Sequence, residues 1–355
     1  MLNEWPLKLT DPNMALKSFL IIFIIILALI PRTAYSIPFV VFHGISDRCG
    51  NGGVTRFTTL LSNWSGSQGY CIEIGNGAWD SWTMPFPKQT AIACDKVKKM
   101  SELREGYNII GLSQGNMVGR GILEFCEGGP PVRNFISLAG PHAGIASVPF
   151  CGSALVCILV DFLIQLAVYS NYVQEHLAPA NYIKIPTDID EYNKGCRFLP
   201  KLNNEINRNS AYKEQFASLQ GLVLIMFEHD KILVPKETSW FGYFPDGSWT
   251  PVLPAQETTL YTEDRIGLKS LDEAGKVKFV KVSGGHLEIS YSDMKEYILP
   301  YLVENATTRL NISSESSHIW PWSEHKGERL QHLHCKLIKL RIQLCKNYKK
   351  ICEKC

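Results

Sequence analysis

Three short stretches of this chain put residues suited to nucleophilic chemistry directly after an apolar run: GLSQG at 111–115, FEHD at 227–230 and GGH at 284–286. A serine hydroxyl is a weak nucleophile until a base takes its proton, and an imidazole is a good base only when a carboxylate orients it. In Gly111-x-Ser113-x-Gly115 the small neighbours let a strand and a helix close around a sharp turn that exposes the serine. On a sheet of parallel strands the partners are expected in the order serine, acid, histidine, each in a loop after a later strand. Of nine histidines, only His286 lies beyond the candidate acid, after a strand and before the tail. The acid is Asp230 or Glu228; Asp230 is preferred, although sequence alone does not separate them. His142, in LAGPHAG, is a rival base, but it precedes the acid and is read as a structural or pocket residue.

Acyl transfer also needs donors for the developing oxyanion. They are expected as the amide after the nucleophile, that of Gln114, and an amide from the loop after an early strand. FHGISD follows the earliest strand, so Gly44 lets the backbone turn and Ile45 supplies the second donor. His43 stands before the nucleophile, outside the required order, and is read as shaping this loop.

Those loops need strands to hold them. IPFVVF (37–42), YCIEI (70–74), YNIIGL (107–112), VRNFISL (132–138), GLVLIMF (221–227) and KVKFVKV (276–282) are short β-branched or apolar runs. Helical patterns at 89–104, 114–127 and 290–303 alternate with them, which predicts an α/β fold with a mainly parallel sheet. From 140 to 220 there is no strand pattern. Within it, residues 153–169 are apolar almost all round a helix apart from Asp161 and Gln165, as expected of a buried or groove-lining helix in a lid-like insertion rather than a membrane span.

The ends differ in character. A lysine, an apolar run from Phe19 to Ile30 and then Ala34-Tyr35-Ser36 predict a signal peptide over 1–36, with Met14 as an alternative start and an uncleaved anchor as the rival. Eleven cysteines behind such a leader point to disulfides, and sequons at Asn63, Asn305 and Asn311 suit the same compartment. Residues 313–355 turn polar and then basic, nine Lys and Arg against three Glu over 323–355. Leu333, Leu337, Leu340, Leu344 and Ile351 form a helical stripe there, on a segment read as a solvated appendage or a helical extension. A net charge of +2, no zinc-ligand spacing and no phosphate-cradling glycine loop leave no reason to expect nucleic acid, a metal or a cofactor.

From about Pro38 to Leu302 the chain resembles the palmitoyl-protein thioesterases, lysosomal-type lipid hydrolases of the α/β-hydrolase fold. The resemblance rests on HGISD, GYNIIGLSQGN, LAGPHAG, YSNYVQEHLAPANY, WFGYF, QETTLYTEDRIGLKSLDEAG and GGHLEIS. It implies Ser113 as nucleophile, Asp230 as acid, His286 as base and the amides of Ile45 and Gln114 as the oxyanion hole. It also implies bridges Cys94–Cys126 and Cys151–Cys157. Animal members have two adjacent cysteines after the first loop; this chain has Cys49 and a separate Cys71, which are paired here, and Cys196 is left over. The glycine before His286 replaces an acidic residue of animal members. The expected reaction is hydrolysis of long-chain acyl thioesters of S-palmitoylated proteins or peptides, in the secretory pathway, a lysosome or vacuole, or outside the cell. The rival readings are a lipase or carboxylesterase acting on oxygen esters and an inactive secreted lipid-binding protein.

Overall fold

The computed structural model describes residues 36–146 and 168–303. The expected leader, the Cys151–Cys157 pair, nearly all of the apolar segment 153–169, Asn305, Asn311 and the tail from 313 lie outside the described residues.

All six expected strands form, and all pair in parallel: β1 (Phe39–Phe42), β2 (Gly69–Cys71), β3 (Tyr107–Leu112), β4 (Val132–Leu138), β5 (Gly221–Phe227) and β6 (Val277–Val282). Their order is β2-β1-β3-β4-β5-β6. This is the α/β-hydrolase fold. The central strands β1, β3 and β5 are buried along their whole length, which is why they read as unbroken apolar runs. The two edges are protected differently. β2 is three residues long, and β6 carries Lys278 and Lys281, charges that discourage pairing with another chain.

Helix α1 (Gly52–Ser65) was not anticipated, yet its buried Val54, Phe57, Thr58, Leu61 and Ser65 follow helical spacing. It stops at Gly66, whose φ of 69° suits a residue without a Cβ. A short helix, α2 (Asp80–Thr83), is followed by α3 (Phe86–Lys99), with Pro87 in its first turn and Lys96, Lys98 and Lys99 at its C-terminus, where cations complement the helix dipole. Helix α4 (Gly115–Phe125) leaves the end of β3 and is buried except for Phe125. Cys94 of α3 is bonded to Cys126 at the end of α4, and Cys49 to Cys71 at the end of β2. Each closure is worth about 2–4 kcal/mol, and such bridges form in oxidising compartments. No helix among the described residues is long and apolar enough to cross a membrane.

The described part of 140–220 contains the helices Asn171–His176, Ile189–Gly195, Leu199–Leu202 and Ser210–Ala217, and one isolated bridge, Ile145 to Ile183. Cys196 is a buried thiol that donates to the Asn181 carbonyl at 3.2 Å. Arg120 of α4, fully buried, binds this region to the sheet. It donates to Glu124, the His142 and Leu202 carbonyls and Asn203, and its guanidinium lies over Phe241 and Phe216. Burial pushes the Glu124 carboxyl up to about 7 against the pull of Arg120.

Candidate active site

Because every strand runs the same way, their C-terminal ends share one edge of the sheet, and a chemically able residue follows each. His43 follows β1, Glu73 lies two residues past β2, Ser113 follows β3, His142 comes after β4, Asp230 after β5 and His286 after β6.

Ser113 sits at φ 51°, a left-handed conformation that is strained for a residue with a side chain. The flanking glycines are there for closeness rather than for φ. A Cβ on Gly111 would meet Asn116 Cα at 2.8 Å, and one on Gly115 would meet the Phe42 carbonyl oxygen at 2.2 Å. Asn116 steadies the turn from the other side, donating to the Ser113 and Leu138 carbonyls.

His286 starts from β6, three strands and about 14 Å from β3, and the Ser283–Gly285 turn carries it back. Gly284 (φ 118°) makes that turn, Leu287 (φ 64°) bends the chain just after the ring, and Glu288 accepts the Gly285 amide at 2.9 Å. The ring then bridges two partners: Nε2 is 2.8 Å from Ser113 Oγ and Nδ1 is 2.7 Å from Asp230 Oδ2. A carboxylate only accepts, so the ring proton is on Nδ1 and the free lone pair of Nε2 faces the serine hydroxyl. Asp230 Oδ1 accepts the amides of Ile232 and Leu233 at 2.7 and 3.1 Å. Burial pushes the Asp230 carboxyl upward, but the His286 charge, its hydrogen bond and these two amides outweigh it and hold the pKa below the ordinary 3.8. The side chain is a fixed anion.

The residues left open by sequence separate cleanly. Glu228 points away and pairs with Lys281 at 3.2 Å on the surface. His142 is fully buried, its Nε2 2.7 Å from Ser137 Oγ and its ring stacked on Phe241 at 4.6 Å. Burial, helped by the nearby Arg120 charge, holds its pKa well below 6.5, so the ring is neutral.

Gly44 packs against the nucleophile, where a Cβ would stand 3.3 Å from Ser113 Cβ. Among the described residues the backbone N–H groups of Ile45 and Gln114 meet no acceptor. Two unpaired amides flanking an activated hydroxyl can receive an oxyanion. A buckle absent from the sequence reading joins their loops. Ser46 N donates to Ser81 Oγ at 2.9 Å, Gln114 Nε2 to the Ser81 carbonyl at 2.7 Å, Trp82 Nε1 to Ser46 Oγ, and Tyr182 OH to Gln114 Oε1 at 2.9 Å.

A family model described as palmitoyl protein thioesterase matches residues 38–286, a span that holds Ser113, Asp230 and His286. The chain belongs to the palmitoyl-protein thioesterase family. It is 38% identical over 265 residues to palmitoyl-protein thioesterase 1 of Caenorhabditis elegans, covering 72% of this chain and 88% of the relative. Palmitoyl-protein thioesterase 3 of Dictyostelium discoideum is 35% identical over 65% of this chain and 80% of its own length. A lysosomal thioesterase PPT2 homolog of Drosophila melanogaster is 32% identical over 56% and 69%.

Within this thioesterase fold, Glu73 is the site residue that sequence reasoning missed, being read as part of strand 70–74. β2 stops at Cys71, and Glu73 turns its carboxylate to His43 Nε2 at 2.9 Å and to the Cys49 amide at 2.8 Å. Its signal was available: a lone acid in an otherwise apolar run, two residues from a cysteine.

Proposed function

We propose that this thioesterase removes long-chain fatty-acyl groups, palmitate above all, from cysteine thioesters of S-acylated proteins or related acyl thioesters, through an acyl-serine intermediate. Ser113 Oγ attacks the thioester carbonyl carbon while its proton passes to His286 Nε2. The carbonyl oxygen takes up negative charge against the Ile45 and Gln114 amides. As the tetrahedral species collapses, the C–S bond breaks and the thiolate leaves, taking the proton from His286. A thiol pKa near 8.5 makes this departure less dependent on acid help than that of an alkoxide. Water then gives a proton to His286 as its oxygen bonds to the acyl carbon, and the second collapse returns that proton to Ser113 and frees the fatty acid. Asp230 holds the imidazole in the required tautomer and stabilises its charged form.

The support is the hydrogen-bonded relay from Ser113 through His286 to Asp230, beside two acceptorless amides, in a chain of this family. The reading includes delivery through the secretory pathway to a lysosome-type compartment. The leader expected over 1–36, the two bridges and the exposed Asn63 of the first sequon fit that route. Matched palmitoyl thioester and oxygen-ester substrates test the reaction. The thioester should be the better substrate, and Ser113→Ala should lower kcat about 10⁴-fold or more. Preference for the oxygen ester would make the protein a lipase or carboxylesterase; failure to react with a fluorophosphonate would make it a lipid-binding protein.

A further inference from the structure

We propose that His43 is a positioning residue for acyl transfer: held as an imidazolium between the Gly44 carbonyl and the Glu73 carboxylate, it fixes the Gly44–Ile45 peptide whose N–H receives the oxyanion. This rests on the acyl-transfer reading of the site and adds Glu73 as the second half of the clamp. His43 Nδ1 is 2.9 Å from the Gly44 oxygen and Nε2 is 2.9 Å from Glu73 Oε1. Both partners are acceptors. A peptide carbonyl cannot donate, so Nδ1 carries a hydrogen. Glu73 is occupied as an acceptor at each oxygen, Oε2 by the Cys49 amide at 2.8 Å and Oε1 by the Ile74 amide at 3.2 Å, which marks it as an ionised carboxylate. Nε2 therefore carries a hydrogen too, and the ring is a cation.

Charge on the surroundings agrees. Burial opposes the charged ring, but the hydrogen bonds to Glu73 and Gly44 and the charges of Glu73 and Asp47 outweigh it and raise the His43 pKa above 6.5. The other side chains lining the small cavity beside the ring, from Phe42, Ile72, Ile74, Ser81, Gln89, Gln114 and Val118, are all neutral. The Lys96 ammonium donates to the Glu73 backbone carbonyl at 2.7 Å, and Arg48 turns to Asn51 at 3.1 Å.

Geometry then links the cation to the reacting atoms. The only cis bonds among the described residues precede Pro235 and Pro251, so the Gly44–Ile45 peptide is trans and its N–H points opposite to its C=O. That carbonyl is held by His43 and, at 3.3 Å, by the Asp47 amide, which leaves the Ile45 N–H on the other side. A cation bound to the carbonyl also polarises the peptide and makes its N–H a stronger donor. Glu73 is itself anchored, because the Cys49–Cys71 bridge ties its strand end to the same loop.

Glu73→Gln, which keeps the shape and removes the charge, tests the clamp in the full chain with a palmitoyl thioester. kcat should fall about 10- to 100-fold, below the cost of losing a whole oxyanion donor, with KM changed less than about threefold. The alkaline limb of the kcat profile should move to lower pH, a shift that a purely structural residue would not produce. Imidazole ¹⁵N spectra of the wild type give a second measurement: one histidine should stay protonated at both nitrogens above pH 6.5, and His43→Gln should remove that signal. If Glu73→Gln leaves kcat and the alkaline limb unchanged, or no histidine stays doubly protonated, the clamp is refuted. Activity surviving in Ser113→Ala would instead sink the acyl-transfer reading itself.

Discussion

His286 and His43 each set one ring nitrogen against a carboxylate, at 2.7 and 2.9 Å, on loops leaving the same edge of the sheet. They differ in what faces the other nitrogen. For His286 it is the Ser113 hydroxyl, which can give up a proton; for His43 it is the Gly44 carbonyl, which can only receive one. One imidazole is left with a usable lone pair, whereas the other is locked as a cation. His142 makes a third case, with no carboxylate, one hydroxyl partner and a buried Nδ1 that meets nothing among the described residues. Identical side chains thus become a base, a fixed charge and a neutral packing element, according to the atoms their nitrogens meet.

The comparison breaks most visibly at the carboxylate of the first pair. Asp230→Asn keeps the shape but presents the imidazole with the wrong tautomer, and kcat should fall about 10⁴-fold. Glu228→Gln should change kcat less than about twofold, since that carboxylate pairs with Lys281 at the surface. Equal losses in steady-state assays of the two variants would mean that the acid is misassigned.

A smaller effect is expected at the third histidine. His142→Leu leaves the buried Ser137 hydroxyl without its partner, which costs about 2 kcal/mol and should lower the thermal midpoint by roughly 4–8 °C. kcat per folded molecule should stay within about twofold. A large loss of kcat at unchanged melting temperature would restore His142 as a chemical participant.

The subtlest difference lies in the pH dependence of stability, where His43 and His142 should act with opposite sign. The His43 pKa is raised on folding, so its contribution is fully present below the unfolded value of about 6.5 and is lost as pH rises through the higher folded value. The His142 pKa is depressed, so its neutral form favours the fold above about 6.5, and that advantage is lost as pH falls toward the folded value. Urea titrations at several pH values should therefore show the gap between wild type and His43→Gln narrowing toward alkaline pH. The gap to His142→Leu should narrow toward acid. Parallel curves for the two variants would remove the distinction between charged and neutral rings.

A second contrast concerns residues 256–275, QETTLYTEDRIGLKSLDEAG, the longest of the stretches on which the resemblance rests. Its side chains close on one another and on 204–213: Asp264 accepts the Lys269 and Ser270 amides and pairs with Lys213, Tyr261 donates to Asp272 at 2.7 Å, and Asn204 donates to the Arg265 carbonyl. The Ile45 and Gln114 amides beside Ser113, by contrast, meet no acceptor among the described residues. A packing segment satisfies itself, and a reacting one does not.

The strands were legible because burial on both faces demands continuous apolar runs, and FVVF, YNIIGL and GLVLIMF are such runs. Ser113, Asp230 and His286 were legible because an all-parallel sheet sends every strand end to one edge, so chain order stands in for position. Helix α1 was missed although its apolar spacing and the Asn51 at its N-cap were readable, since Gly52 and Gly53 at its start read as a loop. The His43 partner of Glu73 and the buckle from Ser46 through Ser81 to Gln114 and Tyr182 were out of reach, because the residues they join lie some 30 to 70 positions apart along the chain.

By itself the amino-acid sequence determined the sheet, the sharp turn at Ser113 and the order of the reacting groups, all of which follow from local sterics and from which residues must leave water. Only the tertiary structure decided which carboxylate serves His286, which histidine is charged and where Glu73 turns. Those depend on a hydrogen-bond partner brought within 3 Å by folding, and nothing in a residue's own neighbourhood along the chain specifies that partner.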